Sequence, residues 1–144
     1  MQASVTVDID AAPERVWAVM TNVEAWPQWT ASVTEAKRLD TGRFDVGSRV
    51  RIKQPKLPPA VWTLDEVVSG ESFTWVTGLP GFRSIAQHRV ERTPTGSRVT
   101  LAIEQRGVIG EIFARLTAGL TERYLNLEAA GLKRRSEEPR PQSS

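Results

Sequence analysis

The spacing of apolar residues changes once along this chain, and that change limits the folds open to it. Between residues 32 and 106 apolar side chains recur at every second position, the repeat of strands with one buried face. Between 109 and 135 they recur at every third or fourth position, the repeat of a helix with one apolar stripe. A sheet that is followed by one long amphipathic helix offers that helix a single wide surface to cover.

The period-two region divides at "DTGRFDVG", "PKLPP", "SGE", "GLPG" and "TPTG", which predicts strands over 33–39, 48–54, 61–68, 72–77, 82–92 and 97–106. Their short connections favour an antiparallel meander, because parallel neighbours need crossovers of a dozen or more residues. Upstream, "ASVTVDI" alternates with Val5, Val7 and Ile9 on one face and reads as a seventh strand. "DAAPERVWAVM" reads as a helix, with Pro13 suited to the first turn and Glu14 to its positive end. Thr21 and Glu24 have the spacing of a capping box for a second short helix. Pro27 disfavours helical backbone at Trp26, so that helix is expected to end near Ala25.

The final helix, roughly 27 residues and about 40 Å long, repeats Ile109, Ile112, Phe113, Leu116, Leu120, Tyr124 and Leu127. Lys133, Arg134 and Arg135 complement its negative end. "SEEPRPQSS" has nothing to bury and is expected to be disordered. The expected organisation is one α+β domain over 1–136 with a tail over 137–144. A twisted antiparallel sheet of about seven strands curls, and a helix laid across a curled sheet need not fill it, so a hollow is expected between them.

Strand alternation assigns the wall of that hollow. Val50, Ile52 and Gln54 share one face, Trp62 and Leu64 another (Glu66 has the same parity but sits at a strand end and is expected to be exposed), and Phe73, Trp75 and Thr77 a third. Ala86, His88 and Val90 follow, then Val99, Leu101, Ile103 and Gln105. From the helix, Phe113, Leu116, Leu120 and Tyr124 are expected to face the sheet, with Glu111, Arg115, Glu122 and Glu128 outward. Trp26 and Trp29, on either side of Pro27, are bulky for a segment between regular elements and are expected at the mouth or inner wall. An apolar enclosure with a few polar points, here Gln54, Thr77, His88 and Gln105, has the character of a small-molecule site.

Other classes are disfavoured. The chain has no cysteine and one histidine, which leaves neither a disulfide nor a His-rich metal cluster, and no metal ligand set or cofactor is expected. No apolar run is long enough to span a bilayer, so no stable membrane insertion is expected. The opening "MQASVTVDID" lacks the pattern of a signal peptide, and the expected compartment is cytoplasmic. A net charge of +2 is too small to imply nucleic acid. The outward Arg49, Arg51, Lys53, Arg89, Arg98 and Arg106 read as a solvated face, since the aromatic residues point the other way. No phosphate-binding loop, nucleophile elbow, zinc motif or carboxylate pair is present. His88 is the one candidate catalytic residue, as a general base; otherwise it is a polar contact in the pocket or a structural core histidine. No carboxylate stands at a spacing that clearly partners it.

The segments "IDAAPERVWAVMTNVEAWPQWTASV", "VGSRVRIKQP", "VWTLDEVVSGESFTW" and "HRVERTPTGSRVTLAIEQRGVIG", with the closing "LNLEAAGLKRRSEE", resemble the polyketide cyclase/dehydrase-like branch of the START-like, or SRPBCC, superfamily. The resemblance covers residues 3 to 138. It implies the helix-grip fold, a curved antiparallel sheet wrapped around a long C-terminal helix with two short N-terminal helices. It also implies a cavity used for lipids, polyketides or aromatic compounds. It transfers no catalytic role to any position, because the cyclases share no catalytic motif. Three functions follow: a carrier of a small apolar molecule, a polyketide aromatase/cyclase or dehydratase, and a protein-interaction module. The expected partner is a hydrophobic small molecule, and the expected state is a monomer or weak homodimer.

Overall fold

A computed structural model describes residues 2–139. In chain order it contains β1 (Gln2–Ile9), α1 (Pro13–Thr21), a 3-10 helix (Val23–Gln28), β2 (Glu35–Arg38), β3 (Arg49–Lys53), β4 (Ala60–Val68), β5 (Ser72–Leu79), β6 (Phe82–Thr93), β7 (Gly96–Arg106) and α2 (Val108–Glu137). The strands form one curved sheet in the order β1-β7-β6-β5-β4-β3-β2, with every neighbouring pair antiparallel. α2 lies across it, as the change of period predicts, and the whole has the α+β helix-grip arrangement that the resemblance implies.

Local chemistry sets the element boundaries. α1 begins at Pro13, where the missing N–H costs nothing, and buries Val16, Val19 and Met20. The expected capping box does not form. The Thr21 hydroxyl donates back to the Trp17 carbonyl at 2.8 Å, and Glu24 Oε2 accepts the Arg38 N–H at 3.1 Å, tying this segment to β2. The 3-10 helix continues to Gln28, past the expected stop at Ala25. The bonds at its two ends run from Ala25 N–H to the Asn22 carbonyl and from Trp29 N–H to the Trp26 carbonyl, and neither uses the donor that Pro27 lacks.

Strict alternation fails at one point in the sheet. Leu64 is opposite Trp75 while Glu66 is opposite Thr74, so Asp65 is an extra residue on β4. This β-bulge reverses the parity that follows. Glu66 turns out to solvent, and Val67 packs against the core in its place.

α2 is anchored at both ends. Gly107 precedes it with a left-handed φ of 92°, and no side chain caps it. The Gly81 carbonyl, in the β5–β6 turn, instead accepts the Ile109 and Gly110 N–H groups at 3.0 and 3.1 Å, satisfying two of the free donors of the first turn. At the other end Ala129, Leu132 and Ser136 are buried, and the Gly131 backbone lies against Trp29. A Cβ at Gly131 would overlap the Trp29 carbonyl oxygen. The helix extends through Glu137, into the segment expected to be a tail. The remainder of that tail, 140–144, lies outside the described residues.

The solid core occupies the end of the sheet nearest the C-terminus of α2, with Val16, Met20, Val23, Val50, Val90, Val99 and Leu132 almost fully buried. Toward the N-terminal half of α2 the sheet and helix do not meet.

Candidate functional site

The space between them is a cavity of about 430 Å³. Its sheet wall is layered, because antiparallel register places inward residues of β5, β6 and β7 side by side. His88 and Leu101 form the deepest row, with Phe73 buried beside His88; Trp75, Ala86 and Ile103 form the next, and Thr77, Ser84 and Gln105 the third. Rows on one face are two residues apart, about 6.6 Å along a strand. The cavity therefore runs from an aromatic floor through an apolar waist to a polar band near the opening. Trp62 from β4 and Ile52 from β3 continue the wall, and Gln54, Leu57, Pro58 and Pro59 close its side. The Tyr124 hydroxyl donates to the Pro55 carbonyl, holding that loop to α2. Lys53 Nζ, 2.7 Å from the Gln54 carbonyl oxygen, braces it from the sheet.

The helix wall differs from the one the apolar stripe predicts. Phe113, Thr117, Thr121, Tyr124, Leu125 and Glu128 line the cavity, and Gly110 and Ala114 are buried on the same side. Leu116, expected to face the sheet, is 81% exposed. Leu120 is half-buried and does not line the cavity. Glu128, expected outward, faces in. The facing residues are mostly small or hydroxylated because this part of the helix borders a space and has no apolar core to bury. The stripe read from apolar residues alone is displaced by about one residue, roughly 100° of rotation, over its N-terminal half.

Among the other expected residues, Trp26, Ile52, Gln54, Trp62, Trp75, Thr77, His88, Leu101, Ile103, Gln105, Phe113 and Tyr124 border the cavity. Trp29 does not. Its ring is buried beneath the C-terminal turns of α2, and its carbonyl accepts Arg134 Nη2 at 2.9 Å. The two indoles remain in contact, with centroids 5.5 Å apart, but meet different surroundings. Trp26 goes to the cavity, with its Nε1–H donated to the Met20 carbonyl, while Trp29 goes to the core with its Nε1–H unpartnered.

His88 is 4% exposed and surrounded by rings. It stacks on Phe73 with centroids 4.2 Å apart and planes 10° from parallel, and Trp26 and Trp75 stand at 5.6 and 5.4 Å. Its Nε2 lies 3.1 Å from Glu128 Oε1, and its Nδ1 is buried with no partner. A carboxylate oxygen accepts, so in this contact the Nε2–H of the imidazole is the donor to Glu128. Glu128 is the functional candidate that sequence reasoning missed. The signal was present as an acid on a helix whose true face passes Tyr124 and Leu132, but only the correct rotation of the helix exposes it. Among the described residues no group of three or more His, Asp or Glu is placed to hold a metal ion, and no helix is long and apolar enough to cross a membrane.

Comparison with known proteins agrees with this architecture. The protein TTHA0849 from Thermus thermophilus superposes with a TM-score of 0.74 at 18% identity, covering 94% of this chain and 97% of that one. A START superfamily protein from Mycobacterium smegmatis gives 0.69 at 16% identity, covering 93% and 97%. The Helicobacter pylori protein jhp0584 gives 0.77 at 12% identity, covering 94% and 86%. At these identities the likeness is one of fold. A search of curated protein sequences finds no match. The family model described as "Polyketide cyclase / dehydrase and lipid transport" matches residues 1–137. With its sheet and both helices inside that match and a sheet-and-helix cavity at its centre, the chain belongs to the polyketide cyclase/dehydrase and lipid transport family.

Proposed function

We propose that this protein binds or carries a small apolar molecule in the cavity between its sheet and α2. The observation that carries this reading is the cavity itself: about 430 Å³, walled on the sheet side mainly by indole rings and aliphatic side chains, with a limited set of polar groups from the floor, the upper band and α2. Enclosure of that kind removes most of a small ligand's surface from water, and the polar points then fix its orientation. The family's description as one of cyclases, dehydrases and lipid transport is consistent with it.

The direct test is native mass spectrometry of the freshly purified protein, with tryptophan emission as the second readout. The expected result is a co-purifying apolar compound, or an added one that perturbs the emission of Trp26, Trp62 and Trp75. Replacing Trp75 by Phe should reduce that response, whereas replacing Trp29 by Phe should preserve it. A protein that purifies empty and responds to no member of a panel of aromatic and aliphatic compounds overturns the reading.

A second reading, a cyclase or dehydratase using the same cavity, is favoured by one observation, the His88–Glu128 pair on the floor. Here the roles differ from those expected of the sequence. His88 Nδ1 is buried and its Nε2–H is committed to Glu128, so the base that meets a substrate is Glu128, oriented by that N–H. Turnover would then fall by about 10²–10⁴ in Glu128→Gln with little change in binding. A carrier would instead lose only affinity in that variant.

A further inference from the structure

The charged lining of the cavity has one sign. Among the described residues Glu128 is its only acid, His88 its only histidine, and no lysine or arginine borders it. Several other carboxylates have full cations: Asp8 has Arg98 at 2.8 Å, Glu14 has Arg92 at 2.6 Å, Glu35 has Arg51 at 3.1 Å and Glu104 has Arg106 at 2.6 Å. Glu128, more enclosed than any of these at 15% exposure, has the imidazole as its partner. An enclosed carboxylate whose one ring partner is an imidazole, with no lysine or arginine beside it, retains part of its desolvation cost. A cation entering the cavity would offset it.

The surroundings suit the same charge. Trp26 and Trp75 have centroids 5.3 Å apart, Trp62 and Trp75 5.8 Å, and both Trp26 and Trp75 lie within 6 Å of the His88 ring that holds Glu128. Indole faces carry negative electrostatic potential and attract ammonium groups most strongly where water is excluded. The same lining is unsuited to an anion. A carboxylate or phosphate placed there would meet Glu128 and no compensating cation.

We infer that the ligand selected by this cavity is an apolar molecule bearing a protonated amine, with the ammonium group held between the Glu128 carboxylate and the faces of Trp26 and Trp75. The inference rests on the reading that the cavity is a small-molecule site, and it narrows the class admitted: organic cations are preferred, neutral molecules are tolerated, and fatty acids and other anions are rejected.

Isothermal titration of the intact protein with 2-naphthylmethylamine, 2-naphthylmethanol and 2-naphthoate, which share one ring system, tests it at neutral pH. The amine should bind about tenfold tighter than the alcohol, and the carboxylate more weakly than either. In Glu128→Gln the amine-to-alcohol ratio should fall to near one. Alcohol binding as tight as amine binding in the wild-type protein overturns the inference and leaves the cavity reading intact. Binding of neither amine nor alcohol overturns both. The wild-type comparison decides the matter even if the variant does not fold.

Discussion

His88 Nε2 and Glu128 Oε1 meet at 3.1 Å and join β6 to the C-terminal half of α2 across 40 positions of sequence. Both partners border the cavity. The contact therefore bears on the helix's rotation as well as on the electrostatics of the floor.

Glu128→Ala should cost about 1–3 kcal/mol, because it leaves a buried imidazole N–H without an acceptor. In a double-mutant cycle with His88→Phe the pair should show a coupling of at least roughly 0.5 kcal/mol. Denaturant unfolding of the four proteins measures it, and strictly additive losses would show that the contact contributes nothing to the fold.

Two glycines of α2 should respond in opposite directions to alanine. At Gly131 a Cβ would overlap the Trp29 carbonyl oxygen and press on its ring, so Gly131→Ala should destabilise by about 2 kcal/mol or more. At Gly119 a Cβ meets open space, so Gly119→Ala should stabilise by about 0.5–1 kcal/mol through helix propensity alone. Thermal or urea melts of the two variants give the signs.

Two leucines of the same helix separate as clearly. Leu116, 81% exposed, should lose less than about 0.5 kcal/mol on change to Ala, and Leu132, fully buried, about 2–5 kcal/mol. Equal losses would require a different rotation of α2.

Those leucines show how much the sequence disclosed. Alternation in the strands placed Ile52, Trp75, His88, Leu101 and Gln105 on the inner face because a period of two leaves only two choices. Alternation could not show the Asp65 bulge, which turns Val67 inward in place of Glu66. The helix was harder. Its rotation is a continuous angle, and apolar residues mark it only where they are buried. Over the cavity the inward positions are Thr117, Thr121 and Glu128, while Ile112 and Leu116 face solvent, so the apolar signal there reported the wrong side. The His88–Glu128 pairing depends on that angle and was illegible for the same reason. Trp29 was recognisably bulky for its segment, but only the Gly131 contact reveals what covers it.

The end of α2 should respond to acid. A hydrogen bond from the Lys133 ammonium, and another from the Asp10 N–H at 2.7 Å, hold the Glu137 carboxyl below the ordinary carboxylate range. A folded-state value below the unfolded value of 4.5 means that the contact stabilises above that pH and is lost as pH falls through the lower folded value. Hydrogen exchange at the Asp10 amide should accelerate on acidification, relative to the intrinsic rate, in the wild-type protein. In Glu137→Gln that pH dependence should largely disappear.

The packing of Trp29 against Gly131 has a consequence for how such a chain changes over generations. The contact fixes the last turns of α2 independently of the cavity, so a substitution at Thr117 or Thr121 alters the cavity without touching that attachment. Selection can therefore revise the ligand through the first half of the helix while the second half remains constrained. Two descendants of one ancestor can keep the same backbone and sheet wall and still differ in the helix wall of the cavity.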